Sequence, residues 1–264
     1  MVTPKMDNQH VFIKRIRNAL GHAPDHRRQP PPGLFQDQPS EASRKRLASV
    51  SERSVEDRLQ LLKRLEEVAR PLQIRVSPVA DTAEAGSAII DLLGRVAPEF
   101  DERIRVASWR HPLVDRLNLE AALEARDIPL TVTDPPPESL DDASARAFRR
   151  NIRDGVPRSA VGITTADFCV ADTATLVIKA GPGCDRGVSL LPTVHVAVIT
   201  LDQLIEDLGE LYAVLRWDTE GSPGDLPHCL TMITGPSKTG DIEAVMVPGV
   251  HGPRELHLFV ITGN

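Results

Sequence analysis

Two periodicities of apolar residues alternate along this chain. Residues 8–20 set Phe12, Ile16 and Leu20 four apart among Lys14, Arg15 and Arg17, and Gly21 follows as a stop. That pattern predicts a short basic amphipathic helix. From His22 to about Ser49 the periodicity lapses into prolines and polar residues, the composition of an extended linker. A helix is expected from an N-cap at Ser54, with acids in its first turn, through Leu59, Leu62, Leu65 and Val68 to Arg70. A short strand follows at 72–76, then a helix opened by the capping-box sequence Asp81-Thr82-Ala83-Glu84 and closed before Pro98. Residues 104–107 read as a strand, 112–126 as a helix and 128–133 as a strand.

Beyond the proline turn at 135–137 a polar helix is expected over 142–154, then strands at 161–164, 175–178 and 194–200. Leu204, Ile205, Leu208, Leu211 and Leu215 line one face of a helix predicted over 201–215. Strands at 230–234 and 256–262 complete the list, with 244–247 a further candidate. Strands alternating with helices predict an α/β layered fold on a mostly parallel sheet. Periodicity alone does not choose among open α/β sheets. A chain of 264 residues holds one sizeable core, so the expected organisation is an arm over 1–50, made of the basic helix and the proline-rich linker, and one domain over 51–264.

Charge sharpens that division. Residues 1–50 hold nine Lys/Arg against four Asp/Glu, or +5, which leaves −11 on the rest of a chain of net charge −6. An acidic body with two Trp and one Tyr argues against nucleic acid as the main partner. The basic arm is expected to dock on a second copy or a partner, or to fold back on its own domain; both placements stay open. Cys169, Cys184 and Cys229 have no C-x-x-C spacing, so no zinc or iron–sulfur site is expected from them, and no flavin fingerprint is found. With no membrane-length apolar run and no signal-peptide core, the expected location is the cytoplasm.

The candidate chemistry lies in two glycine-punctuated blocks, 164–195 and 235–257. In the first, Gly181-Pro182-Gly183-Cys184-Asp185-Arg186-Gly187 follows a strand and leads to Ser189. Backbone N–H groups freed by the glycines, with Arg186 beside them, suit a carboxylate or phosphate. The loop is not a Walker or Rossmann pattern, and a wide turn with Arg186 paired to Asp185 or solvent fits it equally. In the second block, Ser237, Lys238 and Thr239 supply a cation and two hydroxyls beside Asp241. Asp241 and Glu243 lie two apart and share a side of an extended segment, and with Asp167 and Asp172 they are the carboxylates available for acid–base or nucleophilic work. Holding loops together is the competing role for all four. His251, on a Gly/Pro loop, is the histidine best placed for function, whereas His195 and His257 read as core residues. A thiol nucleophile at Cys184, activated by Arg186, lacks a neighbouring base.

The same blocks carry a resemblance. Thr165-Ala166-Asp167-Phe168, Asp172-Thr173-Ala174-Thr175-Leu176 and Ser189-Leu190-Leu191-Pro192 with His195 resemble the LUD-domain family, as do Gly235-Pro236-Ser237-Lys238-Thr239, Asp241-Ile242-Glu243 and Gly249-Val250-His251-Gly252-Pro253-Arg254-Glu255-Leu256-His257. The likeness runs over roughly 55–262 and points to the family's lactate-utilization branch. Where the family usually reads Glu-Thr-Gly-Thr, this chain has an Asp at 172 and an Ala at 174.

The resemblance implies a three-layer α/β/α fold shared with sugar-phosphate isomerases, CoA transferases and 5-formyltetrahydrofolate cyclo-ligase. It also implies a component of a system that oxidises L-lactate to pyruvate with iron–sulfur partner subunits, this chain acting as an accessory or substrate-binding subunit for a small acidic ligand. Two other classes remain: a stand-alone enzyme on an acidic metabolite, with Asp172 or Glu243 as nucleophile or base and His251 assisting, and a regulatory interaction module. On the residues alone, both glycine loops follow candidate strands and are expected to meet at one pocket on the carboxyl edge of the sheet.

Overall fold

The computed structural model describes residues 8–21, 38–99, 101–135, 137, 139–217, 229–242 and 245–263, with backbone alone at 8–10, 240–242 and 245–248. The chain divides into two compact units, 1–40 and 41–264. The first contains helix α1 (Asn8–Ala19), which ends as expected at Gly21 in a left-handed turn. Its Phe12, Ile16 and Leu20 are exposed.

The second unit opens with α2 (Glu41–Ser51), a helix where linker was expected; α2 packs along α9 (Leu208–Trp217), a partner no local pattern discloses. Helix α3 (Val55–Ala69) starts as read: the Ser54 side chain accepts from Asp57 N, and the Asp57 side chain accepts from Ser54 N. Its buried stripe is Leu61, Leu62, Leu65 and Ala69. Strand β1 (Ile74–Val79) begins later than expected because residues 70–73 form a turn, with Gln73 at φ 63°. Asp81 caps α4 (Thr82–Leu93) by accepting from Ala83 N and Glu84 N, but Glu84 reaches back to Ala80 N rather than to the cap itself.

Strand β2 (Val106–Trp109) leads to α5 (Pro112–Asp115) and α6 (Leu119–Glu124) in place of one helix over 112–126. The break falls at Asn118, φ 51°, where the Leu117 carbonyl packs on Gly86 of α4 so closely that a Cβ there would lie 2.6 Å from it. The chain continues through β3 (Leu130–Thr133), α7 (Asp142–Gly155), β4 (Val161–Thr164), β5 (Phe168–Val170), β6 (Thr175–Lys179), α8 (Gly187–Leu190) and β7 (Val194–Thr200). The helix expected over 201–215 is a 3-10 turn, then β8 (Leu204–Ile205), and only then α9. Pairing of Cys169 with Leu204 and of Val170 with Ile205 draws that segment into a sheet. Strands β9 (Leu230–Ile233), β10 (Lys238–Ile242), β11 (Val245–Pro248) and β12 (Glu255–Ile261) follow.

Six strands form one sheet in the order β1-β12-β7-β4-β2-β3, every neighbouring pair parallel. The fold class is therefore α/β on a mostly parallel sheet, as expected. Its central strands are apolar on both faces, as a sheet covered on both sides requires. Ala197, Ile199, Leu256, Leu258 and Val260 face α3 and the small sheet, while Val196, Val198, Phe259 and Ile261 face α4, α5 and α6. That small sheet, β8-β5-β6-β9, is mixed, and β10 pairs with β11 in a separate hairpin. Helix α8 packs directly on the main sheet at Gly162 of β4, where an added Cβ would stand 1.9 Å from the Val188 carbonyl oxygen.

Candidate functional site

The glycine loop of the first block crosses the carboxyl ends of β2 and β3. Trp109 Nε1 donates to the Asp185 carbonyl (2.8 Å), and Thr133 Oγ1 to the Gly183 carbonyl (2.7 Å). Gly183 has φ 77° with the Arg110 carbonyl 3.2 Å from where a Cβ would stand, so position and backbone both call for glycine. Asp185 Oδ1 accepts from Gly187 N (2.6 Å), fastening the turn that starts α8. Beside the loop lies a cavity of about 510 Å³ bordered by Gly181, Gly183, Thr133 and Asp134, with Arg149 and Arg153 of α7 at its rim. Arg153 has a long contact to Asp154 (3.5 Å), and Arg149 has no ion pair among the described residues. Two exposed guanidinium groups and a glycine turn thus border one cavity, together with the carboxylates of Asp134, engaged by Arg110, and of Asp185, engaged by Gly187 N; the arginines are the groups there that can take an anion.

A second group adjoins the same edge. Asp167, just past β4, accepts from Lys179 N (2.7 Å), and the Lys179 ammonium stands 5.0 Å over the Phe168 ring. His111, just past β2, caps α5 by accepting from Leu113 N at Nδ1 (3.2 Å). Its proton therefore resides on Nε2, which leaves the ring a donor. Burial lowers the His111 pKa, opposed by the charges of Asp167 and Asp115. Burial raises the Cys184 pKa, and the Asp167 charge adds to it, so this thiol stays protonated. Sequence reasoning missed His111; its signal was the His-Pro step directly at the start of a predicted helix.

The remaining residues singled out from the sequence do not gather here. Arg186 donates to Cys229 Sγ (3.4 Å) rather than approaching Cys184, and Ser189 is buried with its hydroxyl donating to the Arg186 carbonyl. Asp172, in the β5–β6 turn, has Arg64 Nε 2.7 Å from Oδ1 but misaligned for a hydrogen bond, so that oxygen has no hydrogen-bond partner. Ala174, in the same turn, holds φ 48° where the family usually has glycine.

Ser237 N donates to the Pro253 carbonyl (2.7 Å), and Lys238 Nζ is 3.4 Å from the Leu72 carbonyl. Thr239 pairs with Val247, Asp241 belongs to β10 with its side chain outside the described set, and Glu243 lies outside the described residues. His251 is exposed on the loop before β12. Leu72 and Pro253 precede β1 and β12, so this hairpin sits at the amino edge of the parallel sheet, opposite Gly183. The expectation of one shared pocket is thereby corrected: β9 belongs to the small sheet, and the loop after it does not open on the carboxyl edge. His195, buried, shares a 2.8 Å hydrogen bond with Thr164 Oγ1. Among the described residues no three His, Cys, Asp or Glu side chains are grouped to hold a metal, and no helix is long and apolar enough to cross a membrane.

A family model of the LUD domain matches residues 62–261. Lactate utilization protein C of Halalkalibacterium halodurans is 30% identical over 162 residues, covering 61% of this chain and 64% of that protein. Lactate utilization protein C of Geobacillus sp. (strain WCH70) is 34% identical over 162 residues, covering 60% and 62%. The match thus spans less than two thirds of the length of these curated relatives. A solved structure of a DUF162 family protein from Deinococcus radiodurans aligns with a TM-score of 0.49 at 23% identity, over 77% of this chain and 98% of that one.

Proposed function

The chain belongs to the LUD-domain family, and from that premise we propose that it serves lactate utilization in the cytoplasm as a ligand-binding component. In this reading it holds a small carboxylic acid, L-lactate or pyruvate, on the carboxyl edge of its parallel sheet. The observation that carries the reading is the cavity where the Gly181–Gly187 loop meets Arg149 and Arg153. Oxidation of lactate to pyruvate removes two electrons and two protons; we assign the electrons to iron–sulfur partner proteins and to this chain the positioning of the acid. The guanidinium groups bind the carboxylate, and His111 Nε2–H is a donor for an oxygen held further along the edge.

Isothermal titration of the full chain with L-lactate and pyruvate tests this. Binding that falls at least tenfold in the Arg149→Ala/Arg153→Ala double variant, with the melting temperature unchanged, is expected. Absence of binding at millimolar acid, or binding indifferent to both arginines, would overturn it. A second reading, a stand-alone enzyme on an acidic metabolite, draws on Asp167 lying near enough to His111 for its charge to raise the His111 pKa against the effect of burial. It is favoured if the purified chain alone turns over such a substrate and the Asp167→Asn variant does not.

A further inference from the structure

The second glycine block has left most of its chemistry unused. Its Arg254, Glu255 and His257 line a cavity of about 910 Å³ at the amino edge of the main sheet, away from the carboxyl-edge site. The wall opposite is the last two turns of α4 and the segment after it, with Leu92, Arg95 and Val96, and Arg75 of β1 completes the enclosure. Three arginines from three separate elements therefore converge on one space.

Two of them are already held. Glu255 binds Arg75 and lies 2.9 Å from His257 Nε2, while Glu99 accepts from Arg254 Nη2 (2.5 Å) and from Thr193 Oγ1 (2.8 Å). Arg95 has no ion pair among the described residues. A guanidinium fixed by one carboxylate oxygen still has free N–H groups, so Arg75 and Arg254 are oriented in advance while Arg95 is open. Ala88, Leu92, Val96, Val194 and Phe259 give the cavity an apolar portion, and Ser77, Asp91, Thr193 and His257 add polar groups beside it.

From this convergence we propose a second binding site, for a phosphate ester of nucleotide size whose phosphates meet Arg75, Arg95 and Arg254 and whose body lies on the apolar wall. A single carboxylate occupies one fork, whereas a phosphate chain presents oxygens in several directions and can engage three. The volume argues the same way, since it lies at the upper end of ordinary ligand cavities and far exceeds what a three-carbon acid fills. The charges of Asp91, Glu99 and Glu255 balance the three arginines when the site is empty. Discrimination then comes from the open Arg95 together with the apolar contact, not from a general positive field.

The proposal does not rest on the lactate reading. The test is isothermal titration of the full chain with ADP, AMP, adenosine and inorganic pyrophosphate. ADP is expected to bind at least tenfold more tightly than adenosine or pyrophosphate, with AMP between. Arg95→Ala is expected to lower ADP affinity at least tenfold without moving the melting temperature, and Arg75→Lys, which keeps charge but loses the fork, to lower it by less. No binding of ADP at millimolar concentration, pyrophosphate binding as tightly as ADP, or ADP affinity unchanged in Arg95→Ala would each overturn the site. L-lactate titrated into Arg95→Ala keeps the two sites apart: its affinity should equal that of the unaltered chain whatever ADP does.

Discussion

Removing the carboxylate of Glu210 should be among the most damaging single changes in the second unit. Arg53, between α2 and α3, donates from Nη2 to Glu210 Oε1 (2.6 Å), and the two side chains are only 6% and 5% exposed. Glu210 also accepts from Glu206 N at Oε2 (2.7 Å), and Arg53 has one further, long contact to the Leu204 carbonyl (3.4 Å). Glu210→Ala strands a guanidinium away from water with one weak acceptor and orphans a backbone N–H. Breaking a buried pair from one side costs about 3–5 kcal/mol. At about 2–4 °C per kcal/mol for a domain of this size, the melting temperature falls by roughly 6–20 °C. The double variant Arg53→Met/Glu210→Leu, which replaces both charges by apolar side chains of similar length, should return to within about 1–2 kcal/mol of the parent. Urea unfolding followed by circular dichroism measures Glu210→Ala and the four corners of the cycle: parent, Arg53→Met, Glu210→Leu and the double variant. A loss below about 1 kcal/mol in Glu210→Ala, or a double variant as damaged as the two singles combined, would show that the pair is not the desolvated contact its burial indicates.

Gly162→Ala should fail to fold or melt far below the parent, because its Cβ meets the α8 backbone at 1.9 Å, while Gly181→Ala, with nothing within 4 Å, should melt as the parent does. Equal melting temperatures for the two would refute the close packing of α8 on β4. The His195 pKa is pushed down to about 3 by burial, below the ordinary value of 6.5. The unfolded chain therefore binds a proton that the folded chain refuses, and this residue's stabilisation is complete above pH 6.5 and lost as pH falls toward 3, at about 1.4 kcal/mol per pH unit. In urea titrations between pH 6 and 4, His195→Gln should show a pH slope shallower by that amount; an identical slope would mean the imidazole is not buried neutral.

What could be read from the chain was what is settled locally. Ser54 and Asp81 announce the starts of α3 and α4 because a cap acts within three residues. The apolar runs of β7 and β12 announce strands buried on both faces. What escaped depended on distant partners: α2 takes its place from α9, and β8 replaces a predicted helical turn because β5 lies beside it. The site followed the same division. Gly183 was recognisable as a turn glycine, and the loop containing it lies on the carboxyl edge. Ser237 and Lys238 looked like its counterpart only on the assumption that every strand belonged to one sheet, and periodicity carries no label for which sheet a strand joins. His111 was missed because a cap histidine has no spacing signature.

The order of strands in the main sheet has a consequence for how the chain is made. Strand β12, later in sequence than every other described strand, lies between β1 and β7, pairing Ile74 with Leu256 and Val194 with Glu255. Until it emerges, a nascent chain can pair β7, β4, β2 and β3, but β1 has no neighbour and the inner edge of β7 shows open N–H and C=O groups. Contacts so distant along the chain make folding slow, and an exposed apolar edge in the interval is an adhesive surface. Expression of this protein should therefore be limited by aggregation during synthesis more than by the stability of the finished fold, and a premature stop before Glu255 should yield inclusion bodies rather than a weakened domain.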